Sequence, residues 1–549
     1  MKADESSQLV TGSEALAYGA LEAGVQLVTG YPGSPITATV EAFSRLVDDP
    51  QRVFWAINEK SAVDLALGIS LAGGRALLCV KSPGLNVALD SLMVANLAPG
   101  DGGFVILAGD DPGGWGSQNE EDSRPLIQAL EIPMLEPSSV SQAFEMMHSA
   151  FELSEEFCLP VVVRVIHAIT VDRATLQGIQ PRPLAYKPRP FTRQRDRWTV
   201  LPIQVVSLHT RLQEKLNRVQ HSFESSPFNI EEGFGRRGVI AAGYSYQKLK
   251  KILLLHCGVP LKVLQLDTIH PLPDLRIGEF LRGLDEVLII EETAPLIETE
   301  VKAIAQTTNL TLQIYGRESG HIPGTGELDA ESIAAGLIKL VPEWNWQIVK
   351  TGPRSMISRK ALCDGCPYIP VYDALLKIME KYGGRDRYVV TGETGCLVRG
   401  QLPPWEMLDV KYSMGSSIGI ASGMQRAGIP QRLIVLSGDS AFLHNGFGEL
   451  VDAVRTRRDL LIIILDNNTT ALTGGQPHPA TRNENRIDII TPVDLVDLVK
   501  AAGVDRVRVV DPLDETQLYT VLEEGMRATG VRVVISRSPC ILYPANSDS

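Results

Sequence analysis

The run from Arg432 to Asn468, RLIVLSGDSAFLHNGFGELVDAVRTRRDLLIIILDNN, decides the reading of the whole chain. RLIVLS and LLIIIL are short continuous apolar runs of the kind that form buried strands, and the intervening GFGELVDAVRTRRD carries its apolar residues at helical spacing. Strand, helix and strand make one βαβ unit. The right-handed crossover of such a unit places two polar clusters, Gly438-Asp439-Ser440 and Asp466-Asn467-Asn468, side by side at the carboxyl ends of parallel strands.

Those clusters carry a specific chemistry. Gly438 lets a diphosphate approach the backbone, while Asp439, the side chain of Asn467 and the main-chain carbonyl of Thr469 offer hard oxygen ligands to Mg²⁺. The 26 residues between Ser440 and Asn467 match the spacing of the thiamine-diphosphate signature, a GDG followed by NN, with Ser440 in place of the last glycine. The clusters therefore resemble the cofactor site of that enzyme superfamily.

Outward from this unit the same alternation recurs. Residues 1–175 read as a first α/β domain, with strand-like VQLVTGY, ALLCV, GFVILAG and CLPVVVRVI between helical stretches. Residues 176–237 are rich in Pro, Arg and Gln and read as a linker containing one amphipathic helix, HTRLQEKLNRVQHSF. Residues 238–345 read as a second α/β domain and residues 353–549 as the third. The expected architecture is α/β, with three open doubly wound parallel sheets.

Glu59 lies in VFWAINEKSAVDLALGISLAGG, where a strand gives way to a helix. A carboxylate there can hydrogen-bond the aminopyrimidine ring of thiamine and favour the tautomer that deprotonates the thiazolium carbon. The competing reading is a first-turn glutamate favoured by the helix dipole. Beside the diphosphate motif, catalysis is the better account.

The net charge of −13 argues against a nucleic-acid-binding face. No apolar run approaches the roughly 20 residues needed to cross a bilayer, and the start MKADESSQLV lacks the apolar core of a signal peptide. The expected location is the cytoplasm, where the seven cysteines read as thiols or metal ligands rather than disulfides.

Cys363 and Cys366 form a CxxC, Cys396 follows after 29 residues, and Cys540 lies far downstream. Each borders a turn, whereas Cys79, Cys158 and Cys257 sit in or beside apolar stretches and read as small core residues. Four thiolates can hold Zn²⁺ or a 4Fe-4S cluster, and spacing does not choose between them. Only the cluster could accept electrons from a thiamine-derived carbanion.

Taken together, GALEAGVQLVTGYPGSP, NEKSAVDLALGISLAGGRALL, GLNVALDSLM, GDDPGGWGSQNEEDSR, IPMLEPS, GHIPGTGEL, the CxxCP element, MGSSIGIASGM and LDNNTTALTGGQPHP resemble the alpha subunits of indolepyruvate:ferredoxin oxidoreductases. They belong to the pyruvate:ferredoxin oxidoreductase superfamily, and the resemblance spans nearly the whole chain. It implies a pyrimidine-binding first domain, a transketolase-C-terminal-like second and a diphosphate-binding third. It implies that Glu59 activates the aminopyrimidine, that Asp439, Asn467 and Thr469 hold Mg²⁺, and that Cys363, Cys366, Cys396 and Cys540 ligate one 4Fe-4S cluster. Ser34, Met414, Gly415, Gly438 and Ser440 are implied as cofactor contacts.

The implied reaction is oxidative decarboxylation of a 2-oxoacid, of the arylpyruvate type, to an acyl-CoA. Electrons would leave singly through the cluster to ferredoxin or a separate electron-transfer subunit, with a smaller beta-type subunit completing a hetero-oligomer such as (αβ)₂. The family's usual C-terminal ferredoxin-like module, with two further cysteine runs, is missing after ILYPANSDS, so a partner is expected to supply that path. After TGGQPHP the chain continues ATRNENR, where relatives tend to carry a glycine. The competing functions are a non-oxidative thiamine decarboxylase or carboligase with a structural zinc, and an inactive scaffold subunit, against which the retention of Glu59 speaks.

Overall fold

The apolar runs form parallel strands, which a computed structural model of the chain gathers, among the described residues, into three large sheets and a two-stranded ribbon. Those residues are 7–178, 191, 193–256, 258–346, 361–482 and 491–544. Cys257 and the 353–360 start of the expected third domain lie outside them. The chain divides into two compact units, residues 1–355 and 356–549.

The strands of the first unit are β1 (Ser7–Thr11), β2 (Leu27–Gly30), β3 (Val53–Trp55), β4 (Ala76–Lys81), β5 (Phe104–Asp110), β6 (Met134–Leu135), β7 (Val161–Ile166), β8 (Arg173–Gln177), β9 (Ile230–Gly233), β10 (Arg237–Ala242), β11 (Leu261–Leu266), β12 (Thr268–His270), β13 (Glu286–Ile290) and β14 (Gln313–Tyr315). One sheet has the order β12-β6-β7-β5-β4-β2-β3, the other β14-β13-β10-β11-β9, and β1 pairs with β8. Both larger sheets are parallel except at one edge, where β12 runs antiparallel to β6 and β9 to β11. Every residue of β5 is buried, as expected of a strand with helices on both faces.

The segment expected to be a linker is largely structured. Its amphipathic stretch is the helix Val205–Phe223, and the buried stripe Leu212, Leu216, Val219 and Phe223 joins the core around β2, β5 and β7. Spacings of four and three residues place that stripe on one helical face. The segment also supplies β9 to the five-stranded sheet.

Buried ions tie the two large sheets of this unit together. Arg164, on β7, pairs with Asp110 and Glu136; Arg124 pairs with Asp122 and, across to the end of β13, with Glu291 at 2.8 Å. Asp122 also accepts the backbone N–H groups of Thr293 and Ala294. Burial alone would raise the Asp122 pKa, but Arg124 and Arg164 outweigh it and hold the carboxyl ionised. Much of GDDPGGWGSQNEEDSR is thus explained as structure.

In the second unit, β15 (Tyr388–Gly392), β16 (Val410–Lys411), β17 (Arg432–Gly438), β18 (Leu460–Asp466), β19 (Arg506–Val510) and β20 (Val531–Arg537) form a wholly parallel sheet, β16-β15-β17-β18-β20-β19. The chain leaves β15 toward β16 on one side and β17 toward β18 on the other. The switch point, where open α/β sheets bind ligands, therefore lies between the carboxyl ends of β15 and β17. By the same logic the first sheet switches between β2, which leads to β3, and β4, which leads to β5.

Candidate active site

At the switch point of the second unit, Gly438 closes β17 and Asp439 opens the next helical turn. Asp439 is buried, and its carboxylate accepts hydrogen bonds from its own turn and from the loop after β18. Oδ1 accepts the N–H of Ser440 at 2.8 Å, and Oδ2 accepts those of Asn467 and Asn468 at 3.0 and 2.8 Å. Asn468 sits at φ +66°, a left-handed conformation that asparagine tolerates better than most residues. The Asn467 side-chain oxygen accepts from Thr469 N–H at 3.2 Å, the Thr469 carbonyl accepts from Ala471 N–H at 3.0 Å, and the Ser440 and Thr470 hydroxyls are 3.0 Å apart.

The three expected Mg²⁺ ligands thus lie in one hydrogen-bonded loop pair. All are hard oxygen donors, and each keeps a lone pair beyond the bonds it accepts. This donor set fits Mg²⁺. Gly438 has ordinary dihedrals, φ −76° and ψ 154°, and a Cβ there would meet no atom within 4 Å. No described part of the chain demands a glycine at this position. Gly415 differs: it sits at φ +77°, and a Cβ would lie 2.7 Å from Asn445 Cβ and 2.9 Å from Gly446 N. Half-buried Met414 precedes it.

The four cysteines singled out above lie on segments that meet this end of the sheet. Cys363 and Cys366 precede the helix Tyr368–Lys381, Cys396 opens the turn after β15, and Cys540 follows β20. The Tyr368 hydroxyl donates to the Leu465 carbonyl at 3.2 Å and the Tyr372 hydroxyl to that of Leu397 at 3.0 Å, which pins the helix to both neighbouring segments. Cys540 N–H donates to the Asn467 carbonyl at 3.0 Å.

Burial pushes the Cys396 thiol up to about 12 and that of Cys366 up to about 11; Cys363, Cys366 and Cys540 add to the rise at Cys396, and Cys363 and Cys540 to that at Cys366. Such thiols share one electrostatic neighbourhood and repel one another once ionised, so they close up only around a cation. Among the described residues no group of three or more His, Cys, Asp or Glu side chains is drawn into metal-holding geometry. The soft thiolate set nonetheless suits a 4Fe-4S cluster or zinc. Cys79 is fully buried in β4 and Cys158 is half-buried.

In the first unit, Ser34 lies exposed in the turn after β2, and Glu59 opens the helix Glu59–Leu71 after β3. The Asn58 side chain caps that helix by accepting the N–H of Ser61 at 2.9 Å. Glu59 is only 5% exposed. A Cβ on Gly84 would lie 2.4 Å from Glu59 Oε1, so that glycine makes room for the carboxyl beside the switch point.

Sequence reading missed two groups. Glu393, directly after β15, is wholly buried and accepts the hydroxyls of Ser417, at 3.2 Å, and Ser437. It thereby joins the turn that follows Gly415 to the strand that ends in Gly438. Burial pushes its carboxyl up to about 7 against the pull of those hydroxyls, with Glu449 adding to the rise. Its signal was a glutamate following the apolar run YVVTG. His478, in TGGQPHP, places Nε2 3.1 Å from Asp439 Oδ2. Burial opposes its charge, but the Asp439 carboxylate outweighs it and raises the imidazole pKa.

Comparison with known proteins accords with these elements. Residues 18–197 match the family described as pyruvate flavodoxin/ferredoxin oxidoreductase, thiamine diP-binding, and residues 394–536 match the C-terminal TPP-binding domain of thiamine pyrophosphate enzymes. The indolepyruvate oxidoreductase subunit IorA of Archaeoglobus fulgidus is 32% identical over 98% of this chain and 87% of its own length. That of Thermococcus kodakarensis is 33% identical over 97% and 86%. A solved structure of 2-oxoglutarate:ferredoxin oxidoreductase from Magnetococcus marinus, with 2-oxoglutarate, coenzyme A and succinyl-CoA bound, is 16% identical, with a TM-score of 0.48 over 61% of this chain and 65% of that one. Near-complete coverage by the IorA subunits, together with two thiamine-diphosphate-binding domains, leads to one conclusion: the chain belongs to the IorA family of thiamine-diphosphate-dependent 2-oxoacid oxidoreductases.

Proposed function

We propose that the chain is the catalytic subunit of an arylpyruvate-type 2-oxoacid oxidoreductase that converts its substrate to an acyl-CoA and passes electrons singly through a 4Fe-4S cluster on Cys363, Cys366, Cys396 and Cys540. The acceptor is ferredoxin or a separate electron-transfer subunit, and a smaller beta-type subunit completes a hetero-oligomer such as (αβ)₂. The IorA relatives are themselves named as subunits. Residues 1–175 take the pyrimidine-binding part, 238–345 the transketolase-C-terminal-like part and 353–549 the diphosphate-binding part.

The observation that carries this reading is the backbone bond from Cys540 to Asn467, which fixes a candidate cluster ligand to the candidate Mg²⁺ loop. Bound thiamine diphosphate supplies the carbanion chemistry of decarboxylation, and the protein supplies position and electronic tuning. Glu59 holds a proton at the aminopyrimidine from a buried, glycine-cleared pocket. Asp439, Asn467 and the Thr469 carbonyl would hold Mg²⁺, whose charge would offset that of a diphosphate. Asp439 is fixed for this by three backbone N–H groups, so little reorganisation is needed when the metal arrives.

Anaerobic purification with the partner subunit, followed by iron and acid-labile sulfide determination, tests the proposal. A visible absorption band that bleaches on adding an arylpyruvate and CoA is the expected result. Zinc at the thiols and no iron would support the non-oxidative alternative.

A further inference from the structure

β4 ends on Lys81, which flanks the switch point of the first unit opposite the YPGS turn that follows β2. Its side chain is half-buried, yet among the described residues its ammonium makes no hydrogen bond or ion pair. A cation removed from water is ordinarily paired, because isolation in a low-dielectric setting is costly. Burial lowers the Lys81 pKa. Glu59, Asp111 and Glu121 act on it through space in the opposite sense.

The neighbouring anions do not close on it. Asp111 turns Oδ2 to its own loop, where it accepts the N–H groups of Gly116 and Ser117 at 2.7 and 2.8 Å, and its buried Oδ1 accepts no hydrogen bond among the described residues. Space has been kept on both sides. A Cβ on Gly33 would lie 2.7 Å from Lys81 Cδ, just as one on Gly84 would collide with Glu59. Gly33, in the turn after β2, and Gly84, in the first turn of the helix Ser82–Ala95, thus clear room around the Lys81 stem and the Glu59 carboxyl. An unpaired charge at a sheet's switch point marks a functional group more often than a stabilising one.

We propose that Lys81 is a substrate-binding residue whose ammonium receives the carboxylate of the 2-oxoacid. This rests on the chain being a 2-oxoacid oxidoreductase, whose substrates all carry that carboxylate. The lysine holds the anionic end of the substrate at the same switch point that Glu59 adjoins. A phosphate of the cofactor or of CoA has related anionic chemistry, and the experiment separates these sources.

The test uses the anaerobically purified holoenzyme with its partner subunit. In Lys81→Met, which keeps the length and apolar stem of the side chain, the KM for the 2-oxoacid is expected to rise about 10- to 100-fold, as for loss of a charge-assisted hydrogen bond. Lys81→Arg restores part of it. Thiamine diphosphate affinity and the KM for CoA stay within about threefold of wild type, and the melting temperature does not fall, because no native ion pair is lost. An unchanged 2-oxoacid KM in Lys81→Met overturns the proposal, as does a loss confined to thiamine diphosphate or to CoA. A wild-type complex that binds thiamine diphosphate but turns over no 2-oxoacid defeats instead the reading on which the proposal stands.

Discussion

The backbone N–H of Cys540 donates to the carbonyl of Asn467 at 3.0 Å, so the segment after β20 and the loop after β18 are bonded independently of either side chain. Cys540→Ala should therefore strip or destabilise the proposed cluster while leaving the Asn467 loop in place. Iron content should fall substantially, with thiamine diphosphate affinity within about threefold of wild type, since the backbone bond survives. Full iron content in the variant would show that the fourth ligand lies elsewhere.

Glu59→Gln preserves the shape of the buried side chain and removes its acid function. Turnover should drop about 100-fold or more, the usual scale for losing a general acid-base group, with the cofactor still bound. Single-turnover kinetics on cofactor-loaded protein check this, and unchanged rates would remove the assignment.

Asp439→Ala removes the proposed Mg²⁺ ligand and orphans the N–H groups of Ser440, Asn467 and Asn468. A loss of stability of about 1–3 kcal/mol is expected from the unsatisfied donors, together with loss of Mg²⁺-dependent thiamine diphosphate binding. Titration calorimetry at several Mg²⁺ concentrations reads the second effect apart from the first.

The two glycines of the crevice should respond differently. Gly415→Ala meets both a φ of +77° and a collision with Asn445, so it should cost about 1–3 kcal/mol in thermal or denaturant unfolding. Gly438→Ala meets no atom of the described residues within 4 Å and should leave unfolding unchanged while weakening thiamine diphosphate binding. Equal destabilisation by both would contradict the contrast.

Glu393 should make stability depend on pH. Its carboxyl titrates near 7 in the folded chain against an ordinary value of 4.5, so between those values the unfolded chain has lost a proton that the folded chain keeps. Stability contributed by the protonated form is present at low pH and declines as pH rises from 4.5 to 7, by at most on the order of 3 kcal/mol. Glu393→Gln should flatten that part of the profile. Identical wild-type and variant slopes of melting temperature between pH 5 and pH 8 would place the titration elsewhere.

Local order was largely legible in the sequence. The βαβ unit from Arg432 to Asn468 contains its own strand, helix and polar termini, to which the structure adds the hydrogen bonds and an earlier helix start at Asp439 with a π-helical stretch, Phe442–Gly446. The position of Glu59 at a helix start was legible because strand end and helix start are both local signals. Less legible was whatever depends on distant pairing. The stripe of Val205–Phe223 spoke for amphipathicity but not for the partner it covers, and nothing in the short segment Thr268–His270 announces that it adds to the edge of a sheet begun more than two hundred residues earlier. Glu393 reads as an ordinary loop residue until Ser417 and Ser437, from two other segments, close on it. Lys81 acquires its meaning from a missing contact, which no sequence displays.

That antiparallel edge strand has a practical consequence. Because β12 covers β6, and Arg124 finds Glu291 only beyond β13, a fragment ending at residue 237 would present a bare strand edge and a buried guanidinium stripped of one counter-ion. The amino-terminal layer is therefore not a portable module. Chimeras that exchange cofactor-handling parts between related subunits should be cut after the second sheet, and a protein spliced earlier should aggregate rather than fold.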